Sequence, residues 1–342
     1  MNKLLYLIRR VCKLNLKGMG ERINEAHRRC GKSKIFIFFD MINCGLRYQA
    51  GYIEYVIYGM YDMNAKQRRT VLTAGKNNRY VAALNKKSDW DYFENKIKFL
   101  NTFREETRRD FLDLSTASLE NFKTFLGKHP VFMAKPVDGI CGKNIEKIDS
   151  SERDAEFLYN DLKASGQTLL EEVILQHPDV SRINPSAINT VRIVTIVSDG
   201  VAHVVFAGLR CGRAGSVVDN FVAGGMTVPI DIDTGVIHNV AVDKVGNVFD
   251  IHPDTHIPFE GFALPDWQQC IELAKTSALR VETVKYVGWD IACTPDGPVL
   301  VEGNHFPGQV LYQLKAQTPD KIGMLPAYEA VIPYDSLEPI KN

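Results

Sequence analysis

Two carboxylates late in the sequence offer the most specific chemistry. The segment 287–304, Val-Gly-Trp-Asp-Ile-Ala-Cys-Thr-Pro-Asp-Gly-Pro-Val-Leu-Val-Glu-Gly-Asn, reads as two strands joined around Thr294-Pro295-Asp296-Gly297. A turn centred on Asp296 sets Asp290 opposite Glu302, with their Cβ atoms about 5 Å apart. Period two adds Ala292, Leu300 and Asn304 to that face and gives Trp289, Ile291, Cys293, Val299 and Val301 to the other, the core face. Opposed carboxylates repel, so the pair calls for a cation or a shared proton between them. An all-oxygen donor set with an Asn carbonyl suits Mg²⁺ and leaves positions for phosphate oxygens. A hairpin whose polar face simply meets water is the alternative.

Upstream, Val131-Phe-Met-Ala-Lys135 reads as a strand, followed by a glycine loop, Gly139-Ile-Cys-Gly142-Lys143, and a second strand through Ile148. Glycines let backbone N–H groups approach a polyphosphate, and lysines supply its counter-charge. The spacing is not that of a Walker A loop, and turn chemistry alone would also explain the glycines. Arg192 lies inside the apolar strand-like run 189–197, where a buried guanidinium requires an anion: a ligand, or a salt bridge to Glu171 or Glu172.

In order, these features resemble the ATP-grasp superfamily over about 86–330, and within it the sugar-transfer-associated branch found among polysaccharide-biosynthesis proteins. The branch resemblance rests on Ile37-Phe-Phe-Asp40-Met, Tyr48-Gln-Ala-Gly51-Tyr52, Asn95-Lys96, Gln176-His177-Pro178, Asn189-Thr-Val-Arg192 and Asp219-Asn220 through Gly224-Gly225. It implies an α+β fold, with two α+β lobes clasping ATP between two mainly antiparallel sheets and an N-terminal helical and mixed extension. By position it implies that Lys96 and Lys135 hold the α- and β-phosphates and that Gly139, Gly142 and Lys143 close over the triphosphate. Glu171, Glu172 and Val173 would form the hinge at the adenine edge, with Gln176 or Asp179 at the ribose. Asp290, Glu302 and Asn304 would bind magnesium, two ions in all, and Arg192, Arg210 and Asn220 would stabilise the transferring phosphoryl group and the tetrahedral intermediate. The implied reaction is a Mg-ATP-dependent carboxylate-amine ligation through an acylphosphate, giving ADP and phosphate, in cell-surface polysaccharide or glycoconjugate biosynthesis. A kinase acting on a hydroxyl, and a non-catalytic ATP-binding accessory of a membrane glycosyltransferase, share the same ATP site. The acceptor, a small carboxylate with an amine or a sugar-linked partner, would lie against residues 1–85 and the loop 211–225.

The elements that must position these groups belong to an ordinary globular chain: 342 residues, 45% hydrophobic and 24% charged. With 41 basic and 41 acidic side chains, bulk capture of nucleic acid is not expected. Seven cysteines without a C-x-x-C pair read as reduced thiols, and no apolar run is long enough to span a membrane, so a cytoplasmic protein is expected. Charge is nevertheless uneven, since residues 1–34 hold ten Lys or Arg against Glu21 and Glu25. Leu4, Leu7, Ile8, Val11 and Leu14 recur there at helical spacing. That predicts a basic amphipathic helix, either docked on a neighbouring domain or lying on an anionic membrane or a membrane-bound glycosyltransferase.

Lys34 to Phe39 reads as a buried strand, 64–88 as surface helices, and Trp90 to Arg109 as a helical stretch carrying Lys96. Further helices are expected over Ser151 to Ala164, capped by Ser150 or Ser151, and over Pro265 to Arg280. The predicted organisation is an N-terminal part, 1–85, that docks or binds the acceptor, and a catalytic part, 86–330, with a glycine-loop lobe at about 115–175 and a metal lobe at about 185–330. A tail, 331–342, follows. His252-Pro-Asp-Thr-His256 and Asp231-Ile-Asp233-Thr-Gly235 are expected to be turns, not metal sites.

Overall fold

A computed structural model describes residues 15–137, 145–215, 221 and 224–340. Gly139, Gly142, Lys143 and Asn220, and the amphipathic segment 4–14, lie outside the described residues. Contacts divide the chain into two units. One takes the described residues up to Arg79 together with Gln309–Glu329, and the other takes Tyr80–Gly308 and the residues from Ala330 onward.

The first unit is helical. Lys34–Tyr48 is a helix, not the expected strand: the Ser33 hydroxyl accepts from the Phe36 N–H at 3.3 Å, and Ile37, Met41, Cys44 and Tyr48 recur at helical spacing on its buried face. The apolar run Ile-Phe-Ile-Phe-Phe misleads because both faces of the helix are apolar. Asp40 turns inward, where Arg68 grips it at 2.6 and 2.7 Å and the Tyr55 hydroxyl donates to it at 2.8 Å. The returning segment is fixed by Gln309, which donates to buried Glu54 at 3.0 Å, and by Gln313, which bonds both the N–H and the C=O of Leu72.

The second unit holds two antiparallel sheets. Strands β1 Phe111–Asp113, β2 Val131–Lys135, β3 Glu146–Asp149 and β4 Leu169–Glu172 form a four-stranded sheet in the order β1-β4-β2-β3. Helices Leu119–Lys128 and Ala155–Ser165 contribute Phe122, Phe125, Leu158 and Leu162 to one core with Phe132, Ala134 and Leu170. Period two along β2 then sends Met133 and Lys135 to the opposite face.

The larger sheet runs β11-β10-β5-β6-β7-β8-β9. Its strands are β5 Thr190–Ser198, β6 Val201–Cys211, β7 Met226–Pro229, β8 Ala241–Asp243, β9 Val248–Phe249, β10 Tyr286–Ala292 and β11 Val299–Asn304. Helix Trp267–Ala278 covers one face, packing Trp267, Cys270, Ile271 and Ala274 with Val191, Ile193, Val287, Trp289 and Ile291. Arg192 and Asp290 are thereby forced to the other face. Among the described residues no helix is long and apolar enough to cross a membrane.

Several expected boundaries shift for local reasons. Asp149 accepts from the Ser151 N–H at 3.0 Å and its hydroxyl at 2.6 Å, closing a turn, so the next helix starts at Ala155 with Asp154 as its cap. Asp266 adopts a left-handed conformation, φ 51°, so the helix expected from Pro265 begins at Trp267. The stretch Trp90 to Arg109 breaks at Asn95 and Phe103 into Asp91–Glu94, Lys96–Thr102 and Arg104–Thr107. His252 is buried, accepts from the N–H groups of Asp254 and Thr255, and lies 3.0 Å from the Gly212 carbonyl; Asp231 caps a turn through Thr234.

Candidate active site

The site grows from one cross-strand row on the larger sheet. Arg192 of β5 pairs with Asp290 of β10, which pairs with Glu302 of β11, so all three side chains leave the same face. The Asp290–Glu302 opposition is the one expected from the turn. Beyond it the register slips: Ile291 pairs with Leu300 and Ala292 with Val299, leaving Val301 as the extra residue of a β-bulge. The slip carries Leu300 off the Asp290 face and into the core with Trp289 and Ile291, correcting its expected side.

Arg192 finds its anion at Asp290, and not at Glu171 or Glu172. Its Nε donates to Oδ1 at 2.5 Å and its Nη2 to Oδ2 at 3.0 Å, while Arg210 of β6 donates through Nη1 to Oδ2 at 2.7 Å. Burial alone would raise the Asp290 pKa, but the two guanidinium groups outweigh it and hold the carboxyl below its usual range. Glu302 differs. It is accessible to solvent and, among the described residues, makes no hydrogen bond or ion pair; the surrounding protein and then the Asp290 carboxylate push its pKa up against the pull of Lys135, Arg192 and Arg210.

The second group of charges comes from the smaller sheet. Lys135 Nζ lies 2.5 Å from Glu171 Oε1, and Arg109 Nε donates to Glu171 Oε2 at 2.9 Å. Burial of Glu171 would raise its pKa, but Lys135 and Arg109 together hold it down at about 2. Lys96, the first residue of its short helix, donates to the carbonyls of Pro136 and Val137 at 3.2 and 3.0 Å. Both lysines are therefore brought to the end of β2, where the segment 138–144 begins. Lys135 also acts electrostatically on Glu302, so the polar faces of the two sheets adjoin.

Other candidates are placed differently. Glu172 accepts from the Asp110 N–H at 3.0 Å, and Val173 follows β4 directly. Gln176 is buried and spends its amide on the loop behind it: Nε2 faces Ser181, Asn184 and Ala187, and Oε1 accepts from the Asn189 N–H. Asp179 is exposed in the short helix Pro178–Ser181. Sequence reasoning missed Arg109. Besides Glu171 it donates to the carbonyls of Leu300 at 2.7 Å and Val301 at 3.1 Å, the two exposed by the bulge on edge strand β11.

The donors fit one hard cation. An ionised Asp offers about four lone-pair sites; the two arginines use three on Asp290, which leaves one beside unpartnered Glu302 and the half-buried Asn304. A cation there would also relieve the raised Glu302 pKa. Among the described residues no group of three or more His, Cys, Asp or Glu could hold a metal, so within them Asp290 and Glu302 are joined by no further carboxylate for the expected second ion.

A family model described as sugar-transfer associated ATP-grasp matches residues 75–319. No curated protein matches the chain. Among solved structures, the chain is similar to the ATP-grasp ligase PsnB complexed with minimal precursor, at 15% identity and TM-score 0.38, covering 66% of this chain and 56% of that one. It is similar to D-alanyl-alanine synthetase A from Vibrio cholerae at 13% identity and TM-score 0.43, covering 72% and 65%, and to the D-cycloserine synthetase DcsG at 15% and 0.40, covering 73% and 72%. The chain spans less than two thirds of the length of the first two.

Proposed function

The chain belongs to the sugar-transfer-associated ATP-grasp family, and from that premise we propose that it is a Mg-ATP-dependent ligase joining a carboxylate to an amine in cell-surface polysaccharide or glycoconjugate biosynthesis. The observation that carries the reading is the row Arg192–Asp290–Glu302, with Arg210 beside it and Lys135 and Lys96 adjoining. Arg192, Arg210 and Lys135 all act on Glu302 beside Asp290, Lys96 holds the carbonyls of Pro136 and Val137 that follow Lys135, and no side-chain nucleophile is needed.

In this reading Lys96 and Lys135 bind the α- and β-phosphates, and the backbone of Glu171 to Val173 meets the adenine edge. Glu171's own carboxylate is committed to orienting Lys135. Glu302, with Asn304 and the remaining lone pair of Asp290, would hold the magnesium, which would supply positive charge against the charge that develops on the phosphates. A substrate carboxylate oxygen bonds to the γ-phosphorus as the bond to ADP breaks. The amine then adds to the acyl carbon, phosphate departs with the bonding pair, and the amine proton passes to solvent. Arg192 and Arg210, fixed by Asp290, face the charge that gathers on the transferring group.

The test is Mg²⁺-dependent phosphate release from ATP by wild type and Glu302→Gln, across pools of amino acids, uronic acids and nucleotide sugars. Release that requires both a carboxylate and an amine, and is lost in the variant, supports the ligase. ADP without free phosphate would replace the reading with a kinase, and ATP binding without turnover in any pool would replace it with the accessory role.

A further inference from the structure

The helix Lys34–Tyr48 buries one face and leaves a second, equally apolar face in water. Ile35, Phe39, Ile42 and Leu46 fall at i, i+4, i+7 and i+11, a single stripe flanked by Phe36 and Phe38. Ile35 is 73% exposed, Phe39 64% and Leu46 56%, among the largest values for big apolar side chains in the described residues. A helix apolar on both sides is normally covered on both, and an exposed patch of this kind marks a binding surface.

What covers it is indicated by charge. The helix has a single carboxylate, Asp40, and Arg68 and Tyr55 hold it inward. Lys34 and Arg47 stand exposed at its two ends, and the preceding residues form the most basic part of the chain. Leu46, the last member of the stripe, also lines a recess of about 660 Å³ together with Arg47, Arg69, Lys76 and Glu329. Among the described residues neither Arg47 nor Arg69 has an ion-pair partner. Lys76 is buried, donates to the carbonyls of Arg69 and Val71 at 2.7 Å, and is pulled by burial down to about 8. An apolar, aromatic-rich stripe thus runs to the mouth of a recess with three cations against one carboxylate. A second copy packed antiparallel along the stripe would set Lys34 against Arg47 of the other copy, and one packed parallel would set each against its own equivalent; like charge disfavours both.

We propose that this face docks on an anionic phospholipid surface: Ile35, Phe39, Ile42 and Leu46 enter the headgroup–acyl boundary, while Arg47, Arg69 and Lys76 receive a headgroup phosphate. The inference does not depend on the ATP chemistry, and vesicle binding is read without turnover.

The experiment is sedimentation of the full chain with phosphatidylglycerol-containing vesicles or with phosphatidylcholine alone, at low and high salt, comparing wild type, Phe39→Asp/Ile42→Asp and Arg69→Glu. Wild type is expected to pellet with the anionic vesicles only and to be released by salt. The double variant should bind at least about tenfold more weakly and Arg69→Glu about tenfold more weakly, with melting temperatures unchanged. The proposal is overturned if wild type does not pellet, if it binds both lipids equally, or if the double variant pellets like wild type. A fall of several degrees in the melting temperature of the double variant, or conversion of a dimer to a monomer without vesicle binding by wild type, would assign the stripe to the chain's own residues or to a second copy.

Discussion

Arg109 and Glu171 join the two sheets of the second unit. Arg109 Nε donates to Glu171 of β4 at 2.9 Å while Nη1 and Nη2 hold the carbonyls of Leu300 and Val301 on β11. Those carbonyls sit at the bulge of an edge strand. Glu302 follows Val301 directly, and Lys135 shares Glu171, so one guanidinium fixes the strand that carries Glu302 relative to Lys135.

Arg109→Ala would strand two carbonyls and leave buried Glu171 with Lys135 alone. The expected loss is about 2–4 kcal/mol, below the full cost of orphaning a buried charge because Lys135 remains. Arg109→Lys keeps the charge but loses the fork, so it should recover only part of that stability and less of the ATP turnover. Urea unfolding and phosphate release on the two variants separate these contributions; full recovery by lysine would mean that charge alone matters.

Glu171 also sets an acid limit. Its folded pKa is about 2 against an ordinary 4.5, so its contribution is complete above 4.5 and disappears as pH falls through 2. That amounts to roughly 3 kcal/mol. Asp290, held down by Arg192 and Arg210, adds to the same acid-side loss. Urea midpoints measured between pH 5 and 2 should fall steeply in wild type and less steeply in Glu171→Gln, which starts from lower stability at neutral pH. Parallel curves would show that Glu171 is not ionised in the fold.

The carboxylate row was legible because a hairpin is local: Pro295, Asp296 and Gly297 fix the turn, and the turn fixes which residues oppose. The bulge at Val301 was not, since its carbonyls are satisfied by Arg109, nearly two hundred positions away in sequence. The partner of Arg192 was missed for the same reason. Pairing of β5 with β10 is a tertiary fact, and nearby Glu171 and Glu172 look equally suitable in one dimension. Lys34 to Phe39 failed differently: an apolar run carries no period when both helix faces are apolar, and the Ser33 cap was the only local sign of a helix.

Gly288 stands two residues before Asp290 on the same face. A Cβ there would lie 3.2 Å from Arg192 Cδ, 3.3 Å from its Nη1 and 3.3 Å from Pro307 Cβ. Gly288→Ala should cost about 1 kcal/mol or less in stability, and Gly288→Val about 1–3 kcal/mol. Because the nearest atoms belong to Arg192, turnover should fall further than stability, most in the valine variant. Thermal melts run beside phosphate-release rates test this, and unchanged rates would mean that the Arg192 guanidinium tolerates displacement.

Glu302→Gln separates the cost of a charge from its use. The folded pKa of Glu302 is raised, so the group favours the fold below its ordinary pKa of 4.5, and that contribution is lost as pH rises through the folded value. At neutral pH without metal its carboxylate therefore works against folding, opposed to Asp290 across the strand pair. Replacing it by the neutral isostere should stabilise the metal-free protein by on the order of 0.5 kcal/mol, the scale of a cross-strand charge contact. Added Mg²⁺ should reverse the ranking: wild type gains melting temperature in proportion to its affinity, and the variant, having lost a carboxylate oxygen ligand, gains little. Melting curves of both proteins with and without Mg²⁺, at pH 5 and pH 7.5, read the two effects separately. A destabilised metal-free variant would mean that Glu302 has a partner the row does not contain, and an equal magnesium shift in both proteins would move the cation away from Glu302.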